Sequence, residues 1–308
     1  MSLQGKAAIV TGSGGGLGAA YATALAAAGA AVVVNDVSEE AVDRTVESIR
    51  AAGGKATGVV APVGPTETAD ELVSAAVSAF GRLDALVTNA GVLRDKSLLK
   101  MTDEDFDLVT NVHLRGTFTC VRSAFRHFRE AETPGRIVAI GSPTGQRGNF
   151  GQTNYAAAKA GIVGMVRTWA IEMRKAGVMV NAVVPVAATA MTRTVPYFAA
   201  AIEAEDRGEP MPGFYRHDLG FGTADDVAGA VVFLSSDEAD GISGQVIGVG
   251  GDRLQLWSHP EPVITSYHDG GWAAQDLAEV FRLDLAAHLQ SVGEKFPPLP
   301  AEFEQPKA

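Results

Sequence analysis

The sequence predicts an α/β fold, a doubly wound parallel sheet of about seven strands with helices on both faces and a C-terminal extension. Three observations carry this expectation. Short β-branched runs alternate with longer Ala-rich stretches over the first 250 residues. The strand-like runs are continuously apolar, as in strands covered on both faces. The 35 glycines fall mostly at element ends, singly or in short runs, where they mark turns.

In chain order the candidate strands span 6–11, 31–36, 55–60, 84–89, 135–141, 178–184 and 245–249. The candidate helices span 16–29, 39–52, 66–80, 103–131, 152–176 and 224–236. Right-handed crossovers between successive parallel strands place helices on both sides of the sheet. Residues 1–251 are expected to form the dinucleotide-binding and catalytic domain. Within it, 185–223 breaks the alternation with aromatics, methionines and prolines, and is read as a substrate loop or lid. Residues 252–308 form an extension packed on the same domain or on a neighbouring subunit. There Leu277, Val280, Phe281, Leu285 and Leu289 share one helical face, and Trp257 and Trp272 are candidate covers for a substrate entrance. Pro297, Pro298 and Pro300 favour an extended chain.

A chain of 308 residues suffices for a substantial core, and its net charge of −11 argues against nucleic acid or an anionic membrane as partner. No apolar run approaches the ~20 residues of a membrane span. Neither terminus carries a recognisable secretory, peroxisomal or endoplasmic-reticulum address. Cys120 is the one cysteine, in an apolar helical stretch. It is read as core, and its isolation points to a reducing, cytoplasmic compartment. No metal is expected.

Residues 11–18 read TGSGGGLG between a strand and a helix. Glycines let the backbone turn tightly against a pyrophosphate, and the helix N-terminus supplies N–H donors. Asp36 closes the second strand, where a carboxylate holds the ribose hydroxyls of NAD and repels the 2′-phosphate of NADP. No arginine adjoins it in sequence, so NAD is the expected cofactor. Tyr155 and Lys159 stand four residues apart at the start of a helix, on one face. A free phenol titrates near ~10, and a neighbouring ammonium favours the phenolate that takes a proton from an alcohol. Ser142 follows the fifth strand, thirteen residues before Tyr155, where its hydroxyl can bind the substrate oxygen.

These motifs, with TNAG at 88–91 and NAVVP at 181–185, resemble the short-chain dehydrogenase/reductase family over roughly residues 5–250. The resemblance implies a Rossmann-type domain in which Ser142, Tyr155 and Lys159 are catalytic. It implies cofactor contacts at Gly12, Ser13, Gly16, Leu17, Gly18, Asp36 with Val37, Val63, Asn89, Ala90, Gly91, Tyr155, Lys159 and Pro185. It further implies a homodimer or homotetramer built on the helices at 103–131 and 152–176. GVLRDKSLLKMTDEDFD at 91–107, VHLRGTF at 112–118, GNFGQTNYAAAK at 148–159 and MTRTVP at 191–196 are similar to a narrower group. That group is the hydroxyacyl-CoA dehydrogenase part of peroxisomal multifunctional enzymes, with its bacterial single-domain relatives. It implies a 3-hydroxyacyl-CoA or hydroxysteroid substrate.

The chain also departs from the family pattern. His113 stands at the usual asparagine position, with Asn111 two residues earlier, and reads as a structural replacement or as a proton shuttle. Pro62 replaces an aspartate that commonly meets the adenine, leaving the Val63 backbone. Val186 and Ala190 replace a glycine and a threonine, which makes Thr189 the substitute cofactor contact. Two alternatives accompany the dehydrogenase: an NADPH-dependent 3-oxoacyl-(acyl carrier protein) reductase, which Asp36 opposes, and a non-catalytic nucleotide-binding regulator, which the intact Ser142, Tyr155 and Lys159 oppose.

Overall fold

The computed structural model describes residues 1–188, 195–294 and 296–303 of the chain. Strand and helix alternate from the start: β1 (Ala7–Thr11), α1 (Gly16–Ala27), β2 (Ala31–Asp36), α2 (Glu39–Ala51), β3 (Lys55–Val60), α3 (Thr66–Phe80) and β4 (Ala85–Thr88). Next come α4 (Asp103–Thr110), α5 (Gly116–Glu130), β5 (Gly135–Ile140), a short α6 (Pro143–Arg147), α7 (Thr153–Glu172) and β6 (Val178–Pro185). The chain ends with α8 (Ala199–Asp206), α9 (Ala224–Leu234), β7 (Val246–Gly250), β8 (Arg253–Leu256) and α10 (Ala274–Leu283).

The strand order is β3-β2-β1-β4-β5-β6-β7-β8. Every pairing is parallel except that of β7 with β8. The order reverses at β1, so a crevice opens beyond the carboxyl ends of β1 and β4, the place where such sheets take ligands. One face of the sheet packs Ile9, Leu72, Phe128 and Val166, and the other packs Tyr21, Leu25, Val46 and Val231. Burying each of the aliphatic chains stabilises by about 1.5–3 kcal/mol, which holds the strand ends in register and thereby fixes the crevice.

The fold class agrees with the sequence, and three details differ. The stretch 103–131 is not one helix: a π turn at Asn111–Arg115 separates α4 from α5. The wider turn carries His113 inward, where it is 2% exposed. The sheet has eight strands, because Arg253–Leu256 pairs antiparallel on β7. So short a run, lying on an edge with Leu254 and Leu256 exposed, leaves no buried periodicity to read. Finally, the segment after β6 builds a small core of its own around Phe198, Met211, Tyr215 and Phe221, with Phe198 and Phe221 stacked at 4.3 Å. Among the described residues no helix is long and apolar enough to cross a membrane.

Candidate active site

The glycine turn after β1 is shaped by close approach. Gly12 has φ 63°, and a Cβ there would lie 2.5 Å from Ala90 Cα. A Cβ on Gly18 would collide with the Gly12 carbonyl oxygen, so α1 can start against the strand only with glycine there. Nothing lies within 4 Å of a Cβ built on Gly15 or Gly16, so the turn faces open space at the helix start. No side chain caps α1 and no acidic residue stands in its first turn, which leaves N–H groups to meet a phosphate. A cradle of this form fits the pyrophosphate of a nicotinamide dinucleotide.

The remaining cofactor candidates divide by what they bond. Asn89 donates from Nδ2 to the Thr11 and Gly12 carbonyls at 3.0 and 2.9 Å, so its side chain ties the end of β4 to the turn. Ser13 is fully buried. Its hydroxyl donates to Val10 and accepts from the Asn35 N–H, and its own N–H donates to the Asn35 carbonyl. Its polar groups are therefore spent inside the fold. Leu17 is part-buried at the start of α1 and packs against the core face of Tyr21 and Leu25. Asp36 Oδ1 accepts the Val37 N–H at 2.8 Å, and Oδ2 accepts the Gly14 N–H at 3.1 Å. Val37 is exposed and Val63 is buried. Pro185 ends β6, and Thr189 lies outside the described residues.

Sequence reading missed Arg44. Its Nη2 donates to the Gly14 carbonyl at 3.2 Å, on the glycine that Asp36 also holds. A cation therefore stands at this corner although none adjoins Asp36 in sequence. The signal was present only in the helical geometry of α2, which brings a residue two turns in back over the strand end.

Ser142 caps α6: its Oγ accepts the Thr144 N–H at 3.2 Å, and the hydroxyl proton remains for Tyr155. Lys159 is 3% exposed and donates from Nζ to the Ile140 carbonyl at 2.6 Å. That bond fixes the ammonium 5.6 Å from the centre of the Tyr155 ring. Burial acts on both groups before charge does. It pushes Tyr155 up, against the Ser142 hydrogen bond that lowers it and with the Asp95 carboxylate that raises it further. It pulls Lys159 down to about 7. The sequence expectation, a phenol lowered by its lysine, is thus reversed in the protein alone, because desolvation disfavours the charged form of each.

His113 packs edge-on against Tyr155, with ring centres 5.1 Å apart. A Cβ on Gly91 would collide with the His113 ring, so that glycine makes room for it. His113 Nε2 lies 2.8 Å from the Val92 carbonyl and 3.0 Å from the Val92 N–H, and Nδ1 is buried without a partner. Burial, with the Lys159 charge, pushes its pKa down to about 3. A ring this reluctant to accept a second proton is neutral at working pH.

Two further side chains organise the site. Asn154 is fully buried and donates from Nδ2 to the Arg94 and Asp105 carbonyls, both at 3.2 Å, while Oδ1 accepts the Tyr155 N–H. It therefore ties the loop after β4 to the first turn of α7. Gln152 donates to Asp95 at 2.7 Å and accepts from Thr144, linking that loop to the one that carries Ser142. Neither contact leaves a trace in spacing, since each joins segments about fifty residues apart. Among the described residues no group of acidic, histidine or cysteine side chains is arranged to hold a metal.

Comparison with known proteins extends this geometry. A family model described as enoyl-(acyl carrier protein) reductase matches residues 12–251. The peroxisomal multifunctional enzyme type 2 of Mus musculus is 45% identical over 204 residues, covering 63% of this chain and 27% of the relative. The first such relatives are thus much longer, and the chain spans about a fifth to a third of their length. The hydroxyacyl-CoA dehydrogenase ChsB1 of Mycobacterium tuberculosis is 39% identical over 293 residues, 91% of this chain and 88% of the relative. The 3-oxoacyl-[acyl-carrier-protein] reductase FabG of Thermotoga maritima is 38% identical, covering 82% and 98%. A crystal structure of a short chain dehydrogenase from Mycobacterium avium superposes with a TM-score of 0.81 at 34% identity, covering 97% of this chain and 99% of that one. A nicotinamide cofactor is implied by this kinship, and the chain belongs to the short-chain dehydrogenase/reductase family.

Proposed function

We propose that the chain is an NAD-dependent dehydrogenase whose substrate is a 3-hydroxyacyl-CoA or a hydroxysteroid. The observation that carries the chemistry is the buried Lys159, held by the Ile140 carbonyl at the end of β5 with its Nζ 5.6 Å from the centre of the Tyr155 ring. Supporting the substrate are the names of the relatives, one of them a hydroxyacyl-CoA dehydrogenase matched over 91% of this chain. Supporting NAD is Asp36, fixed by the backbone N–H groups of Gly14, Val37 and Ser38 at the end of β2.

In this reading the backbone of Gly12, Gly16, Leu17 and Gly18 holds the pyrophosphate, and Asp36 holds the adenosine ribose. Ala90, Gly91 and Pro185 border the cofactor farther along the crevice. The bound nicotinamide supplies the hydride acceptor. Tyr155 Oη takes the hydroxyl proton as the carbinol C–H bond breaks and the C=O bond forms, and Ser142 donates to the substrate oxygen. Lys159, with the cationic ring nearby, favours the phenolate against the burial that opposes it. His113 stays neutral and sets the Tyr155 ring by its edge contact.

A second reading, an NADPH-dependent 3-oxoacyl reductase, draws on Arg44 at Gly14 and on the reductase relative. Steady-state oxidation of 3-hydroxyacyl-CoA thioesters and hydroxysteroids with NAD and with NADP separates the two. Preference for NAD with thioester turnover supports the first, and a strong NADP preference overturns it. Phe106 and Phe118, exposed on α4 and α5, and Ile171, exposed on α7, support a homodimer or homotetramer, which sedimentation velocity tests.

A further inference from the structure

We propose that Gly293 and residues 296–303 act as a strap across the mouth of the substrate cleft, which holds the lid segment 195–221 in register with the catalytic loop after β5 and makes the site selective for bulky acyl bodies. The substrate half rests on the reading above; the mechanical half rests on contacts within the chain.

The strap touches both walls. On one side the Gly293 N–H donates to the Arg147 carbonyl at 2.7 Å, and Arg147 Nε donates back to the Gly293 carbonyl at 3.2 Å. Arg147 ends α6, the turn that Ser142 caps. On the other side the Tyr197 hydroxyl donates to the Pro297 carbonyl at 2.7 Å. Phe296 lies against Tyr197 and Phe198, with ring centres 5.0 and 5.8 Å apart. Phe303 lies against Tyr215 at 5.3 Å and Phe214 at 6.3 Å.

The lid needs this help. Its core is separate from the two cores of the sheet, and Leu299 and Phe303 of the strap pack into it. A cluster that small has little apolar area to offset chain entropy, so two added side chains are a large share of its stability. The strap is also releasable, because 260–292, which joins it to β8, contains no buried residue. The strap is therefore a positioning element. It acts on the substrate through the lid, and a long or rigid acyl body, which spans the cleft, feels it more than a short one.

The test compares the full chain with a chain ending at Val292, and with Phe303→Ala as a variant that leaves the sheet untouched. Three quantities are read: hydrogen exchange in 195–221, NADH affinity by fluorescence, and KM with kcat for 3-hydroxybutyryl-CoA and for a 3-hydroxyhexadecanoyl-CoA. The expected result is faster exchange in 195–221 alone, unchanged NADH affinity, and KM raised about tenfold for the long thioester but less than about twofold for the short one. Unchanged lid exchange in both variants overturns the strap. Equal KM changes for the two thioesters overturn its role in selectivity. If the full chain oxidises neither thioester, the hydroxyacyl-CoA reading fails, and the exchange measurement still decides the strap.

Discussion

Asp36 and Arg44 hold opposite poles of one glycine: Asp36 Oδ2 accepts the Gly14 N–H at 3.1 Å, and Arg44 Nη2 donates to the Gly14 carbonyl at 3.2 Å. The carboxylate is the fixed partner, tied also to the Val37 N–H. The guanidinium is the loose one, its side chain 62% exposed and its second contact a surface pair with Glu40 at 3.8 Å. In the NAD-dependent reading this corner sets a fixed carboxylate that repels a 2′-phosphate against an exposed guanidinium that attracts one.

Replacing Asp36 with asparagine keeps the acceptor for Gly14 and removes the charge. NAD affinity is expected to fall about tenfold, since charge-assisted hydrogen bonds contribute about 1.5–3 kcal/mol. NADP affinity is expected to rise, and Arg44→Ala added to that variant reverses the gain. Fluorescence titration of both reduced dinucleotides reads this directly. If Arg44→Ala leaves NADP binding by the Asp36→Asn protein unchanged, Arg44 has no part in phosphate recognition.

Lys159 carries a pH signature. Burial lowers its folded pKa to about 7, well below the ordinary lysine value of about 10.4. Between these values the folded chain binds fewer protons than the unfolded one at this site, so its contribution to stability improves as pH rises through the window. At pH 6 the folded protein carries a buried ammonium held by the Ile140 carbonyl. Lys159→Met is therefore expected to raise Tm by about 2–4 °C at pH 6 and by much less at pH 10, while abolishing most alcohol oxidation. Calorimetry of the cofactor-free protein at the two pH values checks it. A Tm difference between variant and wild type that does not vary with pH means that the lysine is not desolvated.

The parts of this protein that were legible in the sequence are those fixed by local rules. The seven parallel strands were readable because burial on both faces demands continuous apolar runs. The cradle was readable because Gly12 and Gly18 are required by close approach and not by function alone. Tyr155 and Lys159 were readable because a helix places residues four apart together. What stayed hidden is what tertiary contact decides. Arg44 reaches Gly14 only through the angle between α2 and β2. The pKa directions of Tyr155 and Lys159 follow from burial, which no spacing encodes. The π turn at Asn111–Arg115 lies within an apolar pattern that reads as continuous helix, and only the inward placement of His113 against Val92 shows the break.

That placement yields a prediction about His113. Its pKa, pushed down to about 3, leaves the ring neutral from pH 5 to pH 9. His113→Asn is therefore expected to lower kcat by less than about tenfold with no change in the shape of the pH–rate profile, because neither side chain titrates over that range. His113→Ala, which leaves a cavity beside Tyr155 and frees the Val92 peptide, costs more. A limb near neutrality that disappears from the profile in His113→Asn identifies the imidazole as a titrating member of the proton path.

Asn154 offers a sharper separation of positioning from chemistry. Its Nδ2 bridges the Arg94 and Asp105 carbonyls, and its Oδ1 takes the N–H of Tyr155, so one buried amide joins the loop after β4 to the helix that carries the base. Removing it leaves two carbonyls and an N–H without this partner in a nearly dry site, at about 1–3 kcal/mol for each buried group left unsatisfied. The loop at Arg94 and the start of α4 at Asp105 then loosen from α7, while the Lys159 bond to Ile140 is untouched. Asn154→Ala is expected to raise KM for the alcohol about ten- to hundredfold and to lower Tm, with NADH affinity within about twofold of wild type. Asn154→Asp keeps the acceptor for Tyr155 but repels the two carbonyls, so it fails to rescue KM. Rescue by Asp would assign the effect to the Tyr155 N–H alone and remove the loop from the argument.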